Sequence, residues 1–352
     1  MTTSSSLGVE ARATRSRGVT GGAALGALGL LLVALCTCSV ALGSGAFTVD
    51  DVLRTVGARL GVTEPLAALR DSVVWELRLP RVLLAAAVGA GLAASGAVLQ
   101  AVTRNALADP YLLGVSSGAS TGAVLVLVLG VGSGVLSLSA GALLGGLASF
   151  GLVLVLLGRG STGSGRLVLT GVVVGQLFTA VTSLVVISSG DADSTRSILY
   201  WLLGSLAPAR WPAVLATGAV VAVALVVFRF VASGLDALAF GENAASALGV
   251  NVARTRVVAI VMAAAVTAVM VASVGAIGFV GLIVPHAVRM LVGSEHRSLI
   301  PASALAGAVF LVAADAVGRT VFAPQQIPVG VVTSLLGVPV FLFIARRREA
   351  RR

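Results

Sequence analysis

The sequence contains no lysine, so all 24 of its basic side chains are arginine, against 14 Asp and Glu. That absence excludes one class of function. The phosphate-binding loop GxxxxGK[ST] needs a lysine on the β- and γ-phosphates. If ATP drives this protein, another chain binds the nucleotide. Charge of either sign is scarce as well: 11% of residues, against about 25% in a soluble domain. No Asp, Glu, Lys or Arg occurs between Arg17 and Asp50, Arg81 and Arg104, Asp109 and Arg159, or Arg166 and Asp191. The same holds from Arg210 to Arg229, Arg256 to Arg289, Arg297 to Asp315 and Arg319 to Arg346. A helix crosses a bilayer core of about 30 Å with about 20 apolar residues, and these runs leave no room for a soluble fold. Histidine is limited to His286 and His296, with no HExxH, paired carboxylate or GxSxG. Catalytic chemistry is therefore not expected, and a two-His metal site falls short of a usual ligand set. Cys36 and Cys38 lie two apart within an apolar run, where a helix points them away from each other.

What is present is apolar: 57% of residues, with mean hydropathy +1.06. In lipid every backbone N–H and C=O must be answered within the protein, and runs this long do so as helices rather than as the ~10-residue segments of a barrel. The expectation is an all-α polytopic membrane protein of about ten helices in one bundle. Its spans fall near 19–42, 80–102, 112–129, 136–157, 167–188, 212–231, 256–273, 277–292, 298–319 and 328–345. Gly275, Gly278, Gly281 and Pro285 divide the long run before Arg289 into two of these. Residues 1–17 read as a disordered cytoplasmic tail, 18–346 as one transmembrane domain, and 347–352 as a basic cytoplasmic tail. The first run is too long for the 7–15-residue core of a signal peptide and is read as a retained span.

The net charge of +10 reports topology rather than nucleic-acid binding. With the N-terminus inside, most arginines fall on inner segments, so both termini are expected in the cytoplasm. The outer segment 43–81 runs against this with Arg54, Arg59, Arg70, Arg78 and Arg81. Glycines four apart (Gly22/Gly26, Gly114/Gly118/Gly122, Gly141/Gly145, Gly171/Gly175) suit close helix packing. Asp315 is the one acid deep in an apolar run, and Arg319 at i+4 shares its face, so a local ion pair is expected.

Several blocks resemble the iron-siderophore and vitamin B12 ABC importer permeases. They are RLPRVLLAAAVGAGLAASGAVLQAVTRNALADPYLLGVSSGAS (78–120), YWLLGSLA (200–207), LAFGENAASALGV (238–250), GAIGFVGLIVPHAVRMLVGSEHR (275–297) and IPVGVVTSLLGVPVFLF (327–343). The resemblance covers about 75–345, in the family's order. It implies a ten-helix permease paired with a second, similar or identical chain, with a pathway at their interface and no cofactor of its own. It also implies two cytoplasmic ATPase subunits, an extracytoplasmic binding protein and a place in the bacterial cytoplasmic membrane. A ferric siderophore is the first cargo to consider, with vitamin B12 or haem as alternatives.

Three sites carry over from the resemblance. Arg78, Arg81 and Arg319 match arginines that receive acidic residues of the binding protein. The segment 236–249, within the inner stretch 233–254, resembles the helices that dock on the ATPase. There Leu238, Ala239, Ala244, Ala245 and Leu248 suit a groove, Gly241 and Gly249 belong to the same coupling segment, and Glu242 suits a helix N-terminus. Asn105 and Leu107 match an inner gate, with Ala106 where the family usually has proline; Ser164 and Gly165 match a second gate. Gln100 and Gln176, polar within spans, fit either a pathway lining or an interhelical bond. An ion-driven secondary transporter would want further intramembrane carboxylates and helices broken at mid-depth. An intramembrane enzyme would want a nucleophile–base pair. The purified chain, free of partners, should neither bind nor hydrolyse ATP; specific nucleotide binding would overturn this reading.

Overall fold

A computed structural model describes residues 16–42, 47–130, 135–158, 164–189 and 192–349. The expected tail before residue 16 and the last three residues lie outside them. The described residues form α1 (Ser16–Ala41), α2 (Val49–Arg59), α3 (Ala68–Ser72), α4 (Leu79–Thr103), α5 (Val115–Leu129), α6 (Val135–Leu157) and α7 (Ser164–Ser189). These are followed by α8 (Ala192–Leu202), α9 (Trp211–Leu238), α10 (Glu242–Ala247), α11 (Val252–Val274), α12 (Val280–Val292), α13 (His296–Thr320) and α14 (Val329–Glu349). A wide turn at Val73–Arg78 joins α3 to α4, and a tight one at Pro110–Leu113 precedes α5.

Seven helical stretches are long and apolar enough to cross a membrane: those of α1, α3–α4, α6, α7, α9, α11 and α13. Three shorter apolar helices, Val115–Leu129, Val280–Val292 and Val329–Phe343, join them. All ten fall on segments read as spans from the sequence. The differences lie between them. Residues 43–78, read as a polar loop, contain α2 and α3. Thr48 and Asp51 cap α2 reciprocally: the Asp51 N–H donates to the Thr48 hydroxyl and the Thr48 N–H to the Asp51 carboxylate. α9 runs past its expected end at 231 to Leu238, because no residue before Gly241 stops it. α14 likewise continues into the segment read as a basic tail.

The core is built around α4, which packs against α13, α9, α11 and α12. The stretch Ala68–Thr103 has 78% of its most apolar window buried, against 11% for α1. Glycine makes this approach possible. A Cβ on Gly96 would collide with the Gly281 carbonyl of α12, and one on Gly89 with the Gly307 carbonyl of α13. Gly118 and Gly122 of α5 meet Gly141 and Gly145 of α6 in the same way. Gly22 and Gly26 do not: no described atom of this chain comes within 4 Å of a Cβ built there, so their spacing makes no close contact within the bundle.

Prolines inside helices leave carbonyls that other groups must answer. Pro285 has no N–H for the Gly281 carbonyl. Gln100 of α4 reaches across and donates Nε2 to Gly281 O at 3.3 Å and to Leu282 O at 3.1 Å. Its Oε1 accepts from Arg289 Nη2 at 3.2 Å. The break between α11 and α12, expected from its glycines, is secured by Tyr111. The phenol donates to Ile277 O at 2.8 Å and accepts from Ile277 N at 2.7 Å.

Gly96→Ala should lower the thermal midpoint of the purified protein, since overpacking costs about 1–3 kcal/mol. Gly22→Ala should leave it unchanged or slightly raised, because alanine is the better helix former. Equal midpoints for the two variants would contradict the packing described.

Candidate functional site

Three groups of residues stand out: an arginine cluster at one end, a short helix at the other, and a polar stripe on α7. The arginine cluster forms where α1 ends, α4 begins and α13 ends. Asp315, 2% exposed, accepts from Arg81 Nη2 at 2.9 Å and from Arg319 Nε at 3.0 Å. The local Asp315–Arg319 pair is present as expected. Arg81, 234 residues distant in sequence, is the partner that spacing alone does not reveal.

The remaining donors cap α1, whose last carbonyls have no helical partners and carry the negative end of the helix dipole. Arg319 donates Nη2 to Ser39 O and Nη1 to Leu42 O, both at 3.0 Å. Arg78 donates Nη1 to Val40 O at 2.8 Å and sits 4.2 Å from the Phe47 ring centroid. The three residues expected to dock a partner are thus brought together, but each has internal acceptors. Arg81 Nη1 reaches the surface, donating to Gln326 Oε1 at 2.8 Å, and the bond from Arg319 Nη1 to Leu42 O is exposed as well. Arg81 and Arg319 share the Asp315 carboxylate and Arg78 holds the end of α1 beside them, so three guanidinium groups gather at one described carboxylate.

At the other end, α9 stops at Leu238, Gly241 turns with φ 102°, and α10 occupies Glu242–Ala247. Gly249, at φ 80°, ends the segment before Asn251 caps α11 by accepting from the Arg254 N–H at 3.0 Å. Glu242 sits in the first turn of α10, the position expected for it. The Arg256 guanidinium, bonded to it at 2.7 Å, holds its carboxyl below the usual range, and Arg104 adds to the effect. The apolar face differs from the expected one. Leu238 and Ala245 are buried within the bundle, and Ala244 is half-buried. Ala239 is exposed, as are the larger Phe240 at 79% and Leu248 at 70%. Phe240 was missed by the sequence reading, although an aromatic residue set before a glycine in a polar segment was the available signal.

The turn after α4 lies at this same end. Asn105 is exposed, and its Oδ1 accepts from the Leu107 N–H at 2.9 Å. The Asp109 carboxylate accepts from the Tyr111 N–H at 2.8 Å. Burial pushes the Asp109 carboxyl up to about 6, partly offset by that bond. These side-chain bonds fix the turn without the missing proline at Ala106. Leu107 is 55% exposed beside them. Of the second gate pair, Ser164 begins α7 and its side chain lies outside the described residues; Gly165 is exposed.

The two glutamines separate clearly. Gln100 is buried and bridges α4 to α12. Gln176 is exposed midway along α7 and has no side-chain partner among the described residues. Thr179 and Ser183 follow it at i+3 and i+7 on the same exposed face. Both hydroxyls bond back to their own helix, to Gly175 O and Thr179 O. Thr121 Oγ1 meets Thr182 Oγ1 at 2.8 Å and Thr179 Oγ1 also donates to Ser117 Oγ at 3.4 Å, holding α7 to α5.

Asp315→Asn should lower the thermal midpoint strongly, because removing one partner of a buried pair costs about 3–5 kcal/mol. Arg81→Gln combined with Asp315→Asn should cost less than the sum of the two single changes. Full additivity would show that the two groups do not interact.

A model of the FecCD transport family matches residues 30–347. The "Cobalamin import system permease protein BtuC" of Halobacterium salinarum is 45% identical over 285 residues, covering 79% of this chain and 74% of that protein. The "Iron(3+)-hydroxamate import system permease protein FhuB" of Bacillus subtilis is 36% identical, covering 92% and 84%. A solved structure described as an inward-facing conformation of a putative metal-chelate type ABC transporter is 33% identical, with a TM-score of 0.81 over 92% of this chain and 98% of that one. The match spans the whole bundle and both of its ends, and the chain belongs to the FecCD transport family of ABC importer permeases.

Proposed function

We propose that two copies of this chain enclose a translocation pathway along their α7 helices and import a large metal chelate through it. As an ABC importer permease, the chain is a transport component whose ATPase activity sits in separate subunits. The observation that carries the pathway is the stripe Gln176, Thr179 and Ser183. An amide left unpartnered in hydrocarbon costs about 4–8 kcal/mol. A face bearing Gln176 at mid-helix is suited to a water-filled path or to a partner helix, not to lipid.

The ATPase subunits bind at α10, with Phe240 and Leu248 as the apolar anchors and Asn105 and Leu107 forming the gate beside them. This end faces the cytoplasm, as do both termini. An extracytoplasmic binding protein docks at the opposite end. There the positive Arg78–Arg81–Arg319 cluster attracts acidic side chains and raises the association rate. Because Arg81 and Arg319 are held by Asp315, the cluster acts as a fixed, preorganised charge rather than as free arms.

Among metal chelates, cobalamin is placed first and a ferric siderophore second. The higher identity to the cobalamin permease favours the former, and the siderophore reading rests on the family as a whole. Membranes carrying the permease, its ATPase and its binding protein should accumulate labelled cobalamin in preference to ferric hydroxamate or haem, and only with ATP. Preference for a ferric siderophore would establish the second cargo. Uptake without ATPase subunits would overturn the reading. Phe240→Asp and Leu248→Asp should each abolish most uptake while the chain still reaches the membrane. Unchanged uptake in both would remove α10 from the coupling surface.

A further inference from the structure

On the outer side of the bundle, remote from the α7 stripe, α9 and α13 border a groove of about 450 Å³. Leu225, Val226 and Phe230 form its wall on α9, and Ile300 and Pro301 form it on α13. Arg229 and Arg297 stand one on each helix, and both are exposed. Neither has a carboxylate, carbonyl or aromatic partner among the described residues.

Arg229 lies two residues before the end of the span read as 212–231, where an arginine side chain reaches the headgroup region. Arginine remains protonated in proteins, and no described residue supplies its counter-charge. The nearest acid on α9 cannot supply it. Asp236 accepts from the His296 N–H at 3.0 Å and lies 2.5 Å from His296 Nδ1. His296 is buried and also lines the groove, and its Nε2 has no partner among the described residues. Pro301 leaves the Arg297 carbonyl without its usual helical donor. One apolar channel thus ends in two unpaired cations, an unpartnered imidazole nitrogen and a carbonyl acceptor.

We propose that this groove binds an anionic phospholipid of the leaflet on the α10 side. Its phosphate bridges Arg229 and Arg297, and one acyl chain lies along Val226 and Phe230. Basic pockets between membrane helices hold such headgroups. A zwitterionic lipid brings its own cation and is the poorer match. The site is separate from the pathway and does not depend on which chelate is carried.

The test uses the full chain in nanodiscs of phosphatidylcholine with or without phosphatidylglycerol. Phosphatidylglycerol should raise the thermal midpoint of the unmodified chain, and it should be retained through detergent purification and detected by mass spectrometry. Arg229→Gln/Arg297→Gln should lose both effects, with retention falling on the order of tenfold. Arg229→Lys/Arg297→Lys should keep most of the retention, and Arg254→Gln should keep all of it. Equal retention by the Gln variant, or equal stabilisation by phosphatidylcholine, would overturn the proposal. So would the same stabilisation by inorganic phosphate alone, which would assign the two arginines to a soluble anion.

Discussion

A carboxylate 2% exposed inside an apolar bundle must be answered by the protein itself, and Asp315 is the point on which one end of this structure depends. Its two partners come from different helices, Arg81 at the start of α4 and Arg319 near the end of α13. The same guanidinium of Arg319 closes the end of α1. One buried charge therefore fixes the mutual positions of three helices. The ion pairs offset the desolvation they require only because nearly every donor is used. Loss of any member leaves the others uncompensated.

The same constraint recurs at each break in the helices. Pro285 and the α11–α12 loop leave carbonyls and N–H groups that water does not reach. Gln100 and Tyr111 answer them from α4 and from the turn after it. These two residues lie near the turn that carries Asn105 and Leu107. Any rearrangement of that turn must move Tyr111, and with it the loop at Ile277. Hydrogen bonds from Gln100 and Tyr111 thus tie the end of α4 and the turn after it to the α11–α12 break. Among the described residues, Gln176 on α7 and Arg229 and Arg297 at the α9–α13 groove are left without internal answers at the surface, and His296 Nε2 is left so in the interior.

The helices were legible in the sequence because lipid imposes one solution. A charge-free run of sufficient length becomes a helix, and the glycines at 275 and 278 mark where α11 stops. The Asp315–Arg319 pair followed from helical spacing alone. Arg81 did not, since its partner lies across the bundle and no local pattern records it. Gly22 and Gly26 show the limit of a spacing argument, because the pattern is common and only contact gives it meaning. In the α10 segment, the resemblance and apolar character offered Leu238 and Ala245 as groove residues. The continuation of α9 turns Leu238 inward, α10 packs Ala245 against the bundle, and Phe240 stays outside. The two glutamines looked equivalent in sequence, and only burial distinguishes a bridge from a surface residue.

The proposed pathway requires that α7 turn a polar face toward water while α9 turns an apolar one toward lipid. This can be measured with single cysteines after replacing Cys36 and Cys38 by serine. In membranes containing the assembled transporter, Gln176→Cys should react with a charged, membrane-impermeant thiol reagent, and Val223→Cys on the exposed face of α9 should not. A Gln176→Cys that is as unreactive as Val223→Cys, with the complex cycling through ATP hydrolysis, would contradict the account.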